Sequence, residues 1–319
     1  MREKMKALGT GGCGFIGTSL VDALAAGGHS VSVLDVAAIE GLVDKRGVRY
    51  FRGDMGSRDV LASAVAGMDV VYHLAWSTIP QTSNEDPGFD VNSNLGGTLK
   101  LLDACLEAGV RGVVFLSSGG TVYGIPAGVP IREDAPLEPI NSYGITKLAV
   151  EKYLALYHRL HGLEYTVLRP SNPYGPNQNP LGKVGTVAVF MHRVMSGLPV
   201  RIWGDGSVVR DYVYISDLVD ALLKAGSPHP GAGRVFNIGS GAGLSLLDLL
   251  GKVAKVAGRE PEVVFEPCRV FDVPVNILDN TRAADGLGWS PATPVDDGLE
   301  KTYSWMKAWL AGAAARGPV

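Results

Sequence analysis

The stretch Gly11-Gly12-Cys13-Gly14-Phe15-Ile16-Gly17 decides the fold of this 319-residue chain. An apolar segment, Met5 to Leu8, comes before it, and Leu20, Val21 and Leu24 follow at helical spacing. Glycines let the backbone come close to a pyrophosphate, and the start of a helix offers unpaired amides and the positive end of its dipole. The spacing therefore predicts a strand, loop and helix that bind a dinucleotide.

The next predicted strand, His29 to Asp35, ends in a carboxylate about twenty residues after the glycines, in agreement with the dinucleotide pattern. A carboxylate there accepts hydrogen bonds from the adenosine ribose and repels a 2′-phosphate. We therefore predict that the cofactor is NAD and not NADP.

Further strands are predicted at 48–51, 70–75 and 113–116, and helices at 96–108 and 143–161. The strands are nearly continuous apolar runs, which is typical of a parallel sheet covered on both faces. After Arg169-Pro170, Gly-, Pro- and Asn-rich loops alternate with mixed elements. The predicted fold class is α/β, a doubly wound parallel-sheet Rossmann domain with a smaller C-terminal mixed α/β domain that binds the substrate.

The predicted boundaries assign residues 1–168 to the NAD-binding Rossmann domain, with residues 209–237 returning to it. Residues 169–208 and 238–313 form the predicted substrate domain.

Composition favours a cytoplasmic enzyme. The net charge is −3 with mixed signs, so we expect no nucleic-acid surface. Apolar stretches are too short for a membrane span, and the N-terminus lacks the apolar core of a signal peptide. The three cysteines, Cys13, Cys105 and Cys268, are scattered without metal-ligand spacing. We interpret them as reduced thiols and expect no metal site.

The segment Tyr143-Gly-Ile-Thr-Lys147 carries the predicted chemistry. Its tyrosine and lysine lie one turn apart on one helical face, where the ammonium can lower the pKa of the phenol and make it a general base. Together with a dinucleotide loop, the pair predicts hydride transfer coupled to proton transfer at a sugar or alcohol hydroxyl.

These features resemble the extended short-chain dehydrogenases/reductases, in particular the nucleotide-sugar epimerase/dehydratase group, and are most similar to UDP-glucose 4-epimerases. The resemblance covers almost the whole chain. Its motifs are the glycine loop, Asp35, Gly53-Asp54, His73-Leu-Ala75, Asn94 to Thr98, Ser117 to Gly124, Tyr143 with Lys147, Leu168 to Pro176, and Gly204 to Tyr212.

The resemblance implies a set of cofactor-binding residues, in which Asp54 contacts adenine and Lys147 bonds the nicotinamide ribose. The set is Gly11, Gly14, Phe15, Ile16, Gly17, Asp35, Asp54, Met55, Leu74, Ala75, Asn94, Ser117, Tyr143, Lys147 and Pro170.

The resemblance also implies a nucleotide-sugar site in the second domain. Forked guanidiniums bind a diphosphate bidentately, and Arg210 and Arg269 stand where the family clamps it. Asn276 stands where related epimerases gate the sugar's 2-position, which predicts that an N-acetyl group is tolerated. The implied substrate residues are Ser118, Gly119, Tyr143, Asn172, Arg193, Arg201, Arg210, Arg269, Asp272 and Asn276.

The chain departs from the family pattern at Gly119 and Gly120, where a Ser or Thr hydroxyl usually relays the substrate proton. Ser118 or Thr121 replaces that hydroxyl, or Tyr143 works alone. Our preferred replacement is Ser118, because paired glycines leave the loop free to shift. The predicted catalytic set is Tyr143, Lys147, Ser118 and Thr121.

The resemblance narrows the reaction. Sugar-nucleotide 4,6-dehydratases carry an Asp-Glu pair where this chain has Gly120 and Thr121, and the decarboxylases have Glu at the second position, so both classes are disfavoured. The remaining prediction is NAD-dependent 4-epimerisation of a UDP-hexose through a transient 4-keto sugar. The first predicted substrate pair is UDP-glucose/UDP-galactose. UDP-glucuronate/UDP-galacturonate is the second predicted pair, because Asn177-Gln-Asn179 offers neutral amides where a carboxylate needs a cation, although Lys183 or Arg193 could supply one.

Two other interpretations stay open. A 4-keto-sugar reductase of deoxysugar biosynthesis would use the same tyrosine and lysine with an exchanging NAD(P) cofactor. A catalytically silent NAD-binding regulator would share the fold.

The family also tends to form homodimers through the helices predicted at 96–108 and 143–161.

Overall fold

The computed structural model describes residues 4–37, 47–227, 235–269 and 272–316. The strands are β1 Lys6–Thr10, β2 Ser30–Asp35, β3 Arg49–Arg52, β4 Val70–His73, β5 Gly112–Leu116, β6 Glu164–Pro170, β7 Asn172–Tyr174, β8 Val200–Trp203, β9 Val209–Tyr214, β10 Val235–Ile238, β11 Gly243–Ser245, β12 Val263–Glu266 and β13 Val275–Asn276. The helices are α1 Phe15–Ala26, α2 Arg58–Val65, α3 Pro80–Glu85, α4 Pro87–Asp90, α5 Gly97–Glu107, α6 Ser142–His161, α7 Thr186–Ser196, α8 Ile215–Ala225, α9 Leu246–Ala257, α10 Thr281–Leu287 and α11 Val295–Arg316.

Seven parallel strands form one sheet in the order β10-β6-β5-β4-β1-β2-β3. From β1 the chain builds outward through β2 and β3, and then crosses to build β4, β5 and β6 on the other side. The order therefore reverses between β1 and β4, and a crevice opens beyond the carboxyl ends of those two strands. The predicted α/β fold is confirmed.

Alternate side chains of each strand enter the two apolar layers that cover this sheet. Ala7 of β1 belongs to the layer that holds Leu20 of α1 and Leu222 of α8, and Leu8 belongs to the layer that holds Leu101 of α5. This alternation is the two-residue period of a strand, and it explains why the strands are apolar at nearly every position.

A smaller region stands at the carboxyl edge of the large sheet. Strand β9 lies at its centre and pairs with β7, β11 and β13, and β8 pairs with β12. Helices α7, α9 and α11 contact one another beside these strands. After β9, helix α8 packs on α1, and β10 joins the large sheet next to β6. The predicted domain boundaries stay a prediction, and residues 228–234 of the returning segment lie outside the described residues.

One helix differs from the prediction. The segment predicted as a helix from Gly96 starts instead with a π-helical turn, Val91–Gly96, which leads directly into α5. Such turns are rare and often occur at functional sites. In the described part of the chain, no helix has the length and apolar character needed to cross a membrane.

Candidate active site

The glycine loop joins β1 to α1 as the sequence predicts. Gly11 has φ of +70°, and a Cβ there would lie 2.7 Å from the Cα of Ala75, so only glycine fits. A Cβ on Gly17 would meet the backbone of Gly11 and Gly12, which explains how tightly the helix packs on the loop. Gly14 caps α1 without a side chain, which leaves the first turn open to an anion.

A cleft of roughly 370 Å³ opens beside this loop. Eight of the predicted cofactor residues line it: Gly11, Gly14, Asp35, Asp54, Met55, Leu74, Ala75 and Asn94. The Asp35 carboxylate accepts hydrogen bonds from the backbone N–H groups of Cys13 and Ala37, both at 3.0 Å. These bonds fix the carboxylate at the rim of the cleft, where a ribose would lie. The site therefore fits a dinucleotide.

The remaining predicted cofactor residues lie outside this lining. Phe15, Ile16 and Gly17 form the first turn of α1, and Pro170 ends β6. The buried Ser117 hydroxyl donates to Glu151 Oε1 at 2.5 Å. Because that hydroxyl bonds a buried carboxylate, the structure does not bring it to the cleft.

Helix α6 is held by its first residues. The Asn141 side chain accepts from the Gly144 N–H at 2.8 Å and caps the helix. The backbone N–H groups of Ser142 and Tyr143 donate to side chains of α3, to Asn84 Oδ1 and Ser83 Oγ respectively, both at 3.0 Å. The position of the predicted base is thus set by three polar side chains outside its own helix.

A second anchor is Asp90, which is fully buried at the end of α4. Its carboxylate accepts hydrogen bonds from Thr78, Asn94 (2.9 Å), Ser142 (2.8 Å) and Thr146 (2.7 Å). These donors come from the loop after β4, the π-helical turn and α6. Asp90 therefore ties the cleft to the helix that carries Tyr143 and Lys147.

The Tyr143 and Lys147 pair lies beside the carboxyl end of β5. Lys147 is buried, and its Nζ donates to the Leu116 carbonyl at 2.7 Å. Its Nζ is 5.6 Å from the centre of the Tyr143 ring. The pair is therefore adjacent, as the four-residue spacing predicts.

The electrostatics of the pair differ from the prediction. Burial raises the pKa of Tyr143 well above that of a free tyrosine, and the nearby Asp90 carboxylate adds to the rise. Burial also lowers the pKa of Lys147 well below its usual value, although Glu151 and Asp90 oppose this. The pKa of Tyr143 is therefore raised overall and not lowered as predicted, because desolvation outweighs the other effects on the phenol. The lowering effect expected of the Lys147 ammonium stays a prediction.

The loop after β5 carries both candidate hydroxyls, Ser118 and Thr121, on either side of the two glycines. A Cβ on Gly119 would lie 2.6 Å from Leu278 Cδ1, whereas a Cβ on Gly120 would meet only Ser118 Oγ at 3.8 Å. Thr121 Oγ1 is buried and has no hydrogen-bond partner among the described residues. Since a buried hydroxyl is normally bonded, Thr121 and not Ser118 is the better candidate to bond a substrate oxygen.

Strand pairing gathers the substrate-side residues around β9. Asn172 of β7 stands opposite Tyr212, and Asn276 of β13 stands opposite Arg210. Asn276 Nδ2 donates to the carbonyl of Gly119 at 2.9 Å, while its Oδ1 is buried without a partner among the described residues. The smaller region is thereby bonded to the loop after β5.

Two of the predicted arginines cluster with Asp272. Arg269 forms a bidentate ion pair with the Asp272 carboxylate, at 3.0 and 3.2 Å, and its guanidinium lies 4.6 Å from the centre of the Trp203 ring. Arg210 Nη1 donates to the carbonyls of Val209 and Val273. Burial and the nearby Arg269 lower the pKa of Arg210, and Asp272 opposes this. The cluster therefore contains two guanidiniums and one carboxylate, which leaves an excess of positive charge.

The other two predicted arginines are not part of this cluster. The Nε of Arg193 donates to the carbonyl of Pro199, which lies between the end of α7 and the start of β8. Arg201 lies 3.4 Å from Glu266, with a largely exposed side chain. The partners of Arg193 and Arg201 are therefore residues other than Arg210, Arg269 and Asp272.

Sequence reasoning missed Trp76 and Asp90. Trp76 lines the cleft, contacts Tyr143 edge-on with 5.8 Å between ring centres, and lies under the Lys147 ammonium. Its position directly after His-Leu-Ala at the end of β4 is a usable signal, because that strand end borders the crevice. Asp90 stands four residues before Asn94, but nothing in that spacing reveals its burial.

The geometry defines the class of protein first. It is a doubly wound dinucleotide-binding enzyme with a tyrosine and lysine pair beside the cleft. The sequence model of the NAD dependent epimerase/dehydratase family matches residues 7–239. The chain belongs to this family.

Individual relatives agree over nearly the full length. The chain is 39% identical to the UDP-glucose 4-epimerase of Mycolicibacterium smegmatis over 312 residues, which is 95% of this chain and 99% of that protein. It resembles the crystal structure of the Thermotoga maritima UDP-glucose 4-epimerase with UDP-glucose, with a TM-score of 0.91 and 37% identity over 96% of this chain and 100% of that chain. The Thermus thermophilus UDP-glucose 4-epimerase in complex with NAD gives a TM-score of 0.89 and 37% identity, over 95% of this chain and 99% of that one.

Proposed function

We propose that the chain is an NAD-dependent 4-epimerase of a UDP-hexose. The observation that carries the proposal is the position of Tyr143 between two sites. On one side its ring contacts Trp76, which lines the dinucleotide cleft. On the other, its helix packs against Thr121, whose loop is bonded to Asn276 of the substrate region. A base between a dinucleotide and a nucleotide sugar suits reversible oxidation of a sugar hydroxyl.

The cofactor assignment follows from the cleft. When bound in this cleft, NAD would supply the acceptor and donor of the hydride that a reversible oxidation of the sugar requires. Gly11 and Gly14 give the pyrophosphate access to the start of α1, and the Asp35 carboxylate would accept hydrogen bonds from the ribose hydroxyls. Relatives of this chain are solved with NAD, as the Thermus thermophilus structure illustrates.

The chain's own groups move the proton. Tyr143 takes the proton of the 4-hydroxyl and gives it back, and the Thr121 hydroxyl bonds the same oxygen and replaces the usual relay. The Lys147 ammonium supplies the positive charge that favours the phenolate when the proton moves. Burial raises the pKa of Tyr143, and the charge of the Lys147 ammonium has to oppose that rise. The two side chains therefore need to be adjacent when substrate and cofactor are bound.

The sugar follows from the charges. An uncompensated carboxylate is costly in a closed site, and Arg193 is bonded to the Pro199 carbonyl between α7 and β8. We therefore place UDP-glucose/UDP-galactose first and UDP-glucuronate second. The UDP-glucose 4-epimerase relatives support the first choice. The side chain of Asn276 is small enough that an N-acetyl group at the 2-position should be tolerated.

A panel of UDP- and TDP-sugars, with the 4-epimers resolved by NMR, tests the proposal. We expect interconversion of UDP-glucose and UDP-galactose without added cofactor, and release of NAD when the purified protein is denatured. A 4-keto-sugar reductase would instead consume stoichiometric NAD(P)H. A regulator would bind NAD and convert no sugar. A specificity constant tenfold higher for UDP-glucuronate would reverse the order of the substrates.

A homodimer is part of the same proposal. On α6, Ile145, Leu156 and Leu160 are 56%, 43% and 62% exposed, and with Tyr153 they form an apolar row at helical spacing. A self-complementary contact between copies of this face would cover the row. We expect light scattering to give twice the 33.6 kDa chain mass. We also expect Leu156→Glu to give monomers, while Leu247→Glu, the same change at a similarly exposed leucine of α9, does not.

Two further expectations belong to the proposal. The domain boundaries are supported by the return of β10 to the large sheet beside β6. The cytoplasmic location is supported by Cys13, Cys105 and Cys268, which are all free. Cell fractionation of the tagged protein tests the location.

A further inference from the structure

The surroundings of the Lys147 ammonium contain one aromatic ring at very close range. The Nζ of Lys147 is 3.6 Å from the centre of the Trp76 ring and 4.8 Å from that of Phe115. The Trp76 ring in turn packs on Phe115, at 6.0 Å between centres, and touches Tyr143 edge-on. The indole therefore lies at the meeting point of both members of the catalytic pair.

A cation over an indole is attracted by the negative face of the ring, and the attraction grows when both are desolvated. Lys147 is 3% exposed, so water contributes little to its solvation. The Leu116 carbonyl takes one N–H of the ammonium. The Trp76 face therefore adds to the stabilisation of the positive charge that the Glu151 and Asp90 carboxylates provide.

The indole N–H has no part in this. Trp76 Nε1 is buried and has no hydrogen-bond partner among the described residues. A buried indole N–H usually finds an acceptor, but this one has none among the described residues. The contacts of the ring are therefore those of its faces and edges. A change that keeps the ring but weakens its π-face therefore tests the contact with Lys147 without breaking a hydrogen bond.

We propose that Trp76 is a positioning residue, whose indole face keeps the Lys147 ammonium charged and in place beside Tyr143. The role rests on the proposed function, since Lys147 is the cation of the catalytic pair. Loss of the π-face leaves a buried ammonium less compensated, so its pKa falls and the neutral amine forms at lower pH.

Other charged and titratable groups also face Lys147, and the test has to keep them constant. Tyr143 and Glu151 lie on its own helix, and Glu151 is paired with Arg169 of β6 at 2.6 Å. Asp90 of α4 raises the pKa of Lys147. His73 of β4 is the fifth group, and its pKa is lowered to about 3 by burial and by Lys147.

Fluorinated tryptophans meet this requirement, because each fluorine weakens the π-face while the ring keeps nearly its volume. The full chain is labelled with ¹³Cε-lysine, and the Lys147 signal is assigned by its loss in Lys147→Met. Its titration midpoint is then read by NMR with native, monofluorinated and tetrafluorinated tryptophan. We expect the midpoint to fall stepwise, by about one pH unit over the series.

The chain has five tryptophans, and all of them are fluorinated together. Variants that lack a single tryptophan therefore show which of the five shifts the Lys147 midpoint. In Trp76→Phe, fluorination of the other four is expected to leave the Lys147 midpoint unchanged. In Trp305→Phe, a change in the aromatic cluster of α11, the stepwise fall should persist. A midpoint that ignores fluorination in the parent overturns the proposal, and so does a fall that persists in Trp76→Phe.

Kinetics give a second readout. If the chain is the proposed epimerase, the alkaline limb of kcat should move to lower pH in the fluorinated series, in parallel with the midpoint. The NMR titration needs no turnover, so it stands if no sugar is converted. Failure of the proposed function and failure of the role of Trp76 are therefore distinguishable.

Discussion

Asn276 donates a hydrogen bond from Nδ2 to the carbonyl oxygen of Gly119 at 2.9 Å, across 157 residues of sequence. The bond joins the last strand of the smaller region to the loop that follows β5 in the large sheet. The loop that borders Tyr143 is thereby held by the strand that pairs with Arg210. The bond therefore directly connects the smaller region, which holds the predicted substrate residues, to the loop after β5.

The two adjacent glycines of this loop should respond very differently to substitution. Gly119→Ala puts a Cβ against Leu278 and 2.9 Å from the Arg169 carbonyl, so we expect it to lower the free energy of unfolding by about 1–3 kcal/mol. Gly120→Ala meets only Ser118 Oγ and should change that free energy by less than about 0.5 kcal/mol. Urea denaturation of the pair measures both, and equal destabilisation would contradict the packing described here.

The hydroxyl of Thr121 should matter more for turnover than that of Ser118. We expect Thr121→Val to reduce kcat by about a hundredfold, because the variant loses a hydrogen bond to the reacting oxygen. The variant should be as stable as the parent, since it removes a buried hydroxyl that has no partner among the described residues. Ser118→Ala is the matched control. A larger loss in that variant would restore Ser118 as the relay.

Removal of the Tyr143 hydroxyl should strongly slow proton transfer and leave the fold intact. We expect Tyr143→Phe to reduce kcat by roughly a hundredfold or more. The ring contact with Trp76 remains, so the thermal midpoint should stay close to that of the parent. Tyr153→Phe, on the partly exposed face of the same helix, controls for the loss of a phenol. Near-normal turnover in Tyr143→Phe would refute the mechanism.

The carboxylate of Asp35 should decide the cofactor. We expect the parent to prefer NAD, because Asp35 repels the 2′-phosphate of NADP, and Asp35→Ala to narrow the difference. The variant also loses the bonds to Cys13 and Ala37, so affinity for both cofactors should fall. Titration of the apoprotein with each dinucleotide checks this, and equal affinity of the parent for both would contradict it.

His73 should make the protein less stable at acidic pH. Burial and Lys147 lower its pKa to about 3, and Thr10 and Thr98 bond its two ring nitrogens. In the unfolded chain the imidazole takes up its proton near pH 6.5, whereas in the folded chain it does so only near pH 3. The contribution of the neutral His73 to the free energy of unfolding is therefore fully present above pH 6.5 and is lost as the pH falls towards 3. We expect a loss of about 2 kcal/mol between pH 7 and pH 5. Urea denaturation at both values should show a smaller loss in His73→Gln; an equal loss in both proteins would exclude His73 as the cause.

Much of this site could be predicted from local sequence. The positions of Gly11, Gly14 and Asp35 follow from the geometry of one strand, loop and helix, and the adjacency of Tyr143 and Lys147 follows from one helical turn. These relations depend on neighbours within about twenty residues, so spacing alone specifies them. The apolar runs likewise fix a parallel sheet, because strands covered on both faces must be apolar at almost every position.

Only the tertiary structure decided the electrostatics and the pairing of distant groups. The pKa of Tyr143 is raised, not lowered, because burial depends on elements that the chain brings together from far apart, including Asp90 and Trp76. The same holds for the arginines, since Arg210 lies near Arg269 while Arg193 bonds the Pro199 carbonyl between α7 and β8. Sequence specifies which groups are present, but desolvation and through-space distance set their protonation and partners, and both exist only in the folded chain.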